Sequence, residues 1–217
     1  TVKSVPGDRK LTFLQNVTPM YAAKNAPTIM YTLQEIPDMA DKVMDWKGTK
    51  LVSLVPKGLL TAANVGGKQV GVPSTAEAFG LLYNKSVLDK AKVNPAKIKT
   101  RKDLEAAFKA VKKTGVGAVR FSAIWWSLGA HFTNIYFANA GADHEARLKV
   151  LDDLADGKKS LIKDPVFKNW MATWDLLKKY NQAKPNLTDT EYSLAVADLA
   201  KGKAGFWFMG NWAEPNL

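Results

Sequence analysis

The chain has 217 residues, 47% of them hydrophobic, no cysteine, and a formal net charge of +11 from 31 Lys+Arg against 20 Asp+Glu. That length allows one domain or two small ones, and the apolar content excludes a disordered chain. The lack of cysteine excludes a disulfide framework and a thiolate metal site, and no apolar run reaches the roughly 18 residues of a bilayer span.

No charged stretch followed by an apolar one opens the sequence, so no signal peptide is read there. Leu11 to Ala23 has the spacing of an amphipathic helix, interrupted by Pro19. Pro27 to Thr32 is apolar and β-branched and is predicted as a short buried strand. Leu51 to Leu60 is an apolar run broken by Pro56 and Gly58, and Gly66-Gly67 signals a turn. Lys68 to Pro73 and Ala76 to Tyr83 are predicted as strands, with Glu77 the lone acid in the second.

Helical patterns dominate after Asn84. Ser86 to Ala91 forms one or two turns. Thr100 and Asp103 make a capping box for a helix whose stripe is Leu104, Ala107, Phe108 and Val111. Ala118 to Ser122 is predicted as a strand and Trp126 to Ala140 as an apolar helix. Asp152, Asp153 and Asp156 lack the spacing and glycine of a calcium loop and fit a solvated helix face. Asp164-Pro165 caps a helix with Phe167, Trp170, Met171, Trp174 and Leu177 on its core face. Thr190 to Lys201 is a helix, Ala204 to Met209 a buried strand, and Gly210-Asn211-Trp212 the loop beyond it. Strands alternating with helices place the chain in the α/β class.

Several residues are candidates for chemistry, each beside a plainer alternative. Glu77 reads as a carboxylate aimed at ligand hydroxyls or as an edge residue. Trp212, beyond the carboxyl end of a strand, reads as a stacking platform or as a core residue. Trp125 and Trp126 cannot both face one way, so one packs while the other is free for a ligand. His131 offers a hydrogen bond to a ligand hydroxyl, or it is a satisfied structural histidine. His131 and His144 lack metal spacing, no nucleotide-binding or nucleophile motif is present, and no cofactor is expected. The positive charge is mostly scattered lysine, with Arg9, Arg101, Arg120 and Arg147 unclustered, which argues against nucleic acid. The same excess of lysine suits a protein beside an anionic membrane or cell wall.

Taken together, Ala26-Pro27-Thr28-Ile29-Met30, Gly67-Lys68-Gln69-Val70-Gly71-Val72-Pro73, Leu82-Tyr83-Asn84-Lys85, Asp189 to Ser193 and Gly202-Lys203-Ala204 form an ordered series. Together with Trp212 they resemble the family 1 extracellular solute-binding proteins of bacterial sugar ABC transporters, the maltose-binding class. The resemblance implies a two-lobed type II periplasmic-binding-protein fold, α/β in each lobe, with a hinge near 76–85. On that reading 1–80 is a partial N-terminal lobe and 81–217 the C-terminal lobe. The chain is shorter than the family, so a fragment with an incomplete first lobe is expected. The resemblance implies Gln34, Glu35, Glu77, His131, Phe132 and Trp212 as ligand-binding residues, and the residues themselves add Trp125, Trp126 and Asn211 to that set. Thr32 stands where some relatives carry a tryptophan, which points away from linear maltodextrin. The implied function is a receptor, not an enzyme. It captures a carbohydrate between lobes and passes it to a membrane permease of the ABC type, as a monomer, extracellular as a lipoprotein or periplasmic. The alternatives are a glycoside hydrolase with Glu77 and Glu35 as its carboxylate pair, and a basic nucleic-acid-binding domain.

Overall fold

The computed structural model describes the chain except for residues 1–2, 9, 33–34, 36, 123, 142–143 and 183–191. The predicted site residue Gln34 and most of the motif from Asp189 to Ser193 lie outside the described residues. The chain divides into two compact units, Thr1–Ala76 and Glu77–Leu217.

Unit 1 is built from short pieces. α1, Phe13–Ala22, starts at Thr12, whose side chain accepts from the Gln15 amide while the Gln15 side chain accepts from the Thr12 amide. Lys50–Ser53 (α2) and Lys57–Leu60 (α3) are single turns, because Pro56 and the turn around it break the apolar run. Asn64–Val65 (β1) and Lys68–Gln69 (β2) form a minimal antiparallel hairpin. Its turn is Gly66-Gly67, at φ 58° and 81°. Such a turn needs left-handed backbone at both positions, which glycine adopts without a Cβ penalty. Gln69 is buried, and its amide nitrogen donates to the carbonyls of Leu60, Ala63 and Gly71.

Two predicted strands here are corrected. Residues 27–32 form no strand, and Ile29 is 78% exposed. The pattern is β-like, yet no strand among the described residues pairs with it, and an unpaired strand has nothing to satisfy its backbone. The predicted strand Lys68 to Pro73 keeps only its first two residues.

Unit 2 is organised around a three-stranded sheet in the order β3-β5-β4. β3 is Phe79–Tyr83, and α4, Lys85–Lys90, follows it with Asn84 as its cap. α5 is Arg101–Lys113, with the Thr100/Asp103 capping box in place and Leu104, Ala107, Phe108 and Val111 buried, as their spacing requires. β4 is Gly117–Arg120. A π-helical segment, Trp126–Thr133, runs into α6, Asn134–Ala138. α7 is His144–Ala155 and α8 Pro165–Tyr180. α9 is Tyr192–Ala200 and β5 Ala204–Gly210, with a 3₁₀ turn, Asn211–Asn216, after it.

β5 is the central strand, antiparallel to β3 and parallel to β4, and all seven of its residues are buried. A strand covered on both faces reads as a continuous apolar run. Its side chains alternate between two cores. Phe206 and Phe208 join Phe108, Val111, Phe121, Phe132 and Leu177 under α5 and α8. Trp207 and Met209 join Ala195, Leu199 and Ala213 under α9. Each such buried side chain contributes about 1.5–3 kcal/mol of apolar burial. Arg120, at the end of β4, ties α9 to the sheet: its Nε donates to the Asp198 carboxylate at 2.7 Å and its Nη2 to the same oxygen. Both side chains are nearly buried, so neither charge could lose the other cheaply.

Candidate functional site

Four rings converge just beyond the carboxyl ends of the parallel strands β4 and β5. The His131 ring is the hub. Its centroid lies 4.7 Å from Phe79, 5.3 Å from Trp126 and 5.2 Å from Trp212, and Phe79 meets Trp212 edge-on at 5.3 Å. These are the tilted and T-shaped separations that aromatic quadrupoles favour. Crevices at the carboxyl ends of strands are where open α/β sheets hold ligands.

Local backbone geometry explains the convergence. In an α-helix residues five apart lie roughly 140° apart around the axis. In the π-helical segment the hydrogen bonds close at five residues, as Asn134 N–H to the Gly129 carbonyl shows, so Trp126 and His131 come to one face. Trp212 is seated by two neighbours. Asn211 exchanges backbone and side-chain bonds with Ala78: its N–H donates to the Ala78 carbonyl at 3.0 Å, and its Oδ1 accepts from the Ala78 N–H at 2.9 Å. The Trp212 indole then folds over Gly210, where an added Cβ would collide with the ring. Gly210 has an ordinary φ of −84°, so close approach, not backbone freedom, requires glycine there. Opposite Gly210 in the ladder stands Phe79.

The electrostatics centre on His131. Its Nδ1 is buried with no hydrogen-bond partner among the described residues. Burial holds its pKa below the ordinary imidazole value, so the ring is neutral at pH 7. With Nδ1 enclosed, Nε2 is the other polar atom of the neutral imidazole.

The remaining sequence candidates fall elsewhere. Phe132 is a correction: it is fully buried, stacked on Trp170 at 4.5 Å and packed against Phe121 and Phe208, so its faces are closed to a ligand. The Trp170 Nε1 donates to the Phe132 carbonyl, fixing this contact. Of the adjacent tryptophans, Trp126 packs in the cluster while Trp125 is 71% exposed. Glu77 is exposed and precedes β3 instead of lying within a strand. Glu35, in unit 1, is half-buried, and its carboxylate accepts from the Thr32 hydroxyl at 2.7 Å. Asn211 is exposed and has its carbonyl engaged in positioning the loop. Phe79 was not singled out from sequence. The signal that finds it is register, since it opens the strand opposite the glycine beneath Trp212. No group of three or more metal-ligating side chains occurs among the described residues.

Comparison with known proteins gives this geometry its context. A family model described as bacterial extracellular solute-binding protein matches residues 12–216. A probable sugar-binding periplasmic protein from Mesorhizobium japonicum is 28% identical over 216 residues, covering 96% of this chain and 49% of its own length. Among solved structures, a chitin oligosaccharide binding protein is 20% identical with a TM-score of 0.66, over 94% of this chain and 51% of its own. The solute-binding protein RafE in complex with raffinose is 20% identical with a TM-score of 0.67, over 92% and 53%. An ABC transporter solute-binding protein from Thermotoga lettingae, bound with α-D-tagatose, is 19% identical with a TM-score of 0.67, over 94% and 53%. The α/β class read from the residues and the type II solute-binding fold implied by the family resemblance are the fold these structures share. The chain spans about half the length of the relatives it matches.

Proposed function

The chain belongs to the bacterial extracellular solute-binding protein family, and from that premise we propose that its full-length protein captures a carbohydrate for an ABC importer. One observation carries this reading: the Phe79, Trp126, His131 and Trp212 cluster at the carboxyl ends of β4 and β5. Aromatic faces suit the apolar C–H side of a pyranose, and a neutral imidazole suits its hydroxyls. Affinity then comes from stacking on Trp212 and Trp126, with the exposed Trp125 at the rim. Specificity comes from hydrogen bonds at His131, supplemented by Glu35, Glu77, Gln34 and the Asn211 amide. A wrong sugar leaves such polar groups unpaired and is rejected for that reason. Domain closure around the ligand produces the form a permease recognises. On this reading a hinge lies near 76–85, and the protein works outside the cytoplasm as a monomer, as a lipoprotein or free in the periplasm.

The hydrolase alternative gains no support. Glu77 stands exposed ahead of β3, and Glu35 is held by Thr32.

The test is calorimetric titration of this chain and of a full-length version with mono- and oligosaccharides. Saturable heat for one sugar class, with no reducing ends released on long incubation, is expected from the full-length protein. Sugar release would make it an enzyme, and an absence of heat across the panel would remove carbohydrate as the ligand class.

A further inference from the structure

The charge of unit 2 is not evenly spread. Residues 85–113 carry ten Lys+Arg against three acids, whereas the rest of unit 2 carries twelve against twelve. Each of those three acids already has a partner. Asp89 pairs with Lys85, Asp103 closes the α5 capping box, and Glu105 accepts from Lys179 and Tyr180 and lies beside Lys109. Ten cations against three acids leave a net excess of seven positive charges within the segment.

Part of it gathers at one pole. A groove of about 330 Å³ is lined by Asn84, Lys90, Thr114, Val116, Lys201 and Gly202. Lys112 and Lys113 form the last turn of α5 directly before Thr114, and the Lys203 carbonyl accepts from the Gly117 amide beside Val116. Lys90, Lys113, Lys201 and Lys203 are exposed and have no acid partner among the described residues. Lys112 leans over the Tyr180 ring at 6.0 Å. Lysine at a helix C-terminus ordinarily offsets the helix dipole, and α4, α5 and α9 each end at or beside one of these lysines. Three helix ends supply only about one and a half negative charges between them, so five lysines leave a surplus.

We propose that this pole is a docking surface for an anionic phospholipid bilayer. The chemistry is that of a diffuse negative surface, not of a phosphate fork. The pole's cations are all lysine, while Arg101 is turned to Asn169 and Arg120 to Asp198. Tyr83 is exposed where β3 meets the groove, and an amphipathic ring of that kind is favoured at a membrane–water boundary. The pole also lies at the opposite end of β5 from the aromatic cluster. Lys203 precedes the strand, Trp212 follows it, and seven residues of strand span roughly 20 Å. Docking thus leaves the aromatic cluster facing away from the lipid.

The test is cosedimentation of the 217-residue chain with phosphatidylcholine vesicles, with and without about one-third phosphatidylglycerol. Binding is expected only with the anionic lipid, and it falls steeply as salt rises from about 50 to about 200 mM. Lys90→Glu, Lys201→Glu and Lys203→Glu combined weaken it about a hundredfold, at roughly fivefold or more per lysine. The gentler triple change to Gln removes the same three charges, is expected to cost up to about a hundredfold, and serves if charge reversal disturbs folding. The matched control is Lys47→Glu, Lys50→Glu and Lys57→Glu in unit 1, which keeps the affinity within about threefold. Equal loss in the control triple would reduce the effect to net charge and overturn the pole. Binding to phosphatidylcholine alone would also overturn it. So would a duplex DNA bound more tightly than the vesicles and lost with the same three lysines, which would make the partner a nucleic acid.

Discussion

Unit 1 and unit 2 have comparable shares of apolar residues but make very different use of them. Among the described residues unit 1 fully buries only Val17, Met39, Ala63 and Val70, and leaves Ile29, Tyr31, Leu54 and Met44 mostly exposed. Unit 2 encloses a seven-residue strand on both faces and fills two separate cores. An apolar residue stabilises only if the chain supplies a partner for it. β5 has β3 and β4 beside it and helices on both faces, whereas the segment from Pro27 to Thr32 has no neighbouring strand among the described residues. The aromatic cluster is consequently complete within unit 2, where a rigid sheet can hold it.

The largest expected effect tests that contrast directly. In hydrogen exchange on the intact chain, amides of β5 should outlast those of the β1–β2 hairpin by about a thousandfold or more, since local opening spans from near zero to the global free energy. Comparable protection in both units would erase the distinction. Next in size is Asp198→Asn, which leaves the Arg120 guanidinium nearly buried without its carboxylate. Breaking one side of a buried pair costs about 3–5 kcal/mol, readable as a shift in urea midpoint at unchanged slope. A loss below about 1 kcal/mol would mean the pair behaves as a surface contact and that α9 is held by packing alone.

Most of unit 2 was legible in the sequence because local signals there agree with tertiary ones. The Thr100/Asp103 box, the Asp164-Pro165 start and the buried run before Gly210 each specify an element that packing then confirms. The Asp164 carboxylate does more than cap: it pairs with Lys159 and accepts from Tyr136, which hold its pKa well below the ordinary carboxylate range. The unreadable parts depended on non-local geometry. Nothing in Trp126 to Thr133 announces π-helical winding, and without it Trp126 and His131 would not share a face. Phe132, one residue from the hub, points into the core because of that same winding, which is why adjacency in sequence misassigned it. Phe79 became visible only through its ladder partner Gly210.

The cluster itself can be broken from either side of that ladder. Trp212→Ala should weaken saccharide binding by about tenfold or more, the stacking contribution of one aromatic platform, while the two cores persist. Gly210→Ala should do nearly the same without touching the indole, because its methyl takes the space the ring occupies. Unchanged affinity in folded Trp212→Ala would remove that residue from the site. Normal affinity in Gly210→Ala alongside weak binding in Trp212→Ala would show that the seat of the ring is adjustable.

The smallest effect concerns His131, and its sign follows from burial. Its folded pKa lies below the ordinary imidazole value of about 6.5, so the unfolded chain takes up a proton first as pH falls. The stabilisation from the neutral ring is complete above the unfolded pKa and declines as pH drops through the depressed folded value. Saccharide affinity should decline over the same range, by about threefold between pH 7 and pH 5, because the imidazolium must carry a second N–H into the enclosed Nδ1 position. His131→Gln should flatten both profiles. If the wild-type stability profile is already flat across that range, His131 is not the neutral hub of the cluster. If stability responds and affinity does not, the ring supports the aromatic platform without itself meeting the sugar.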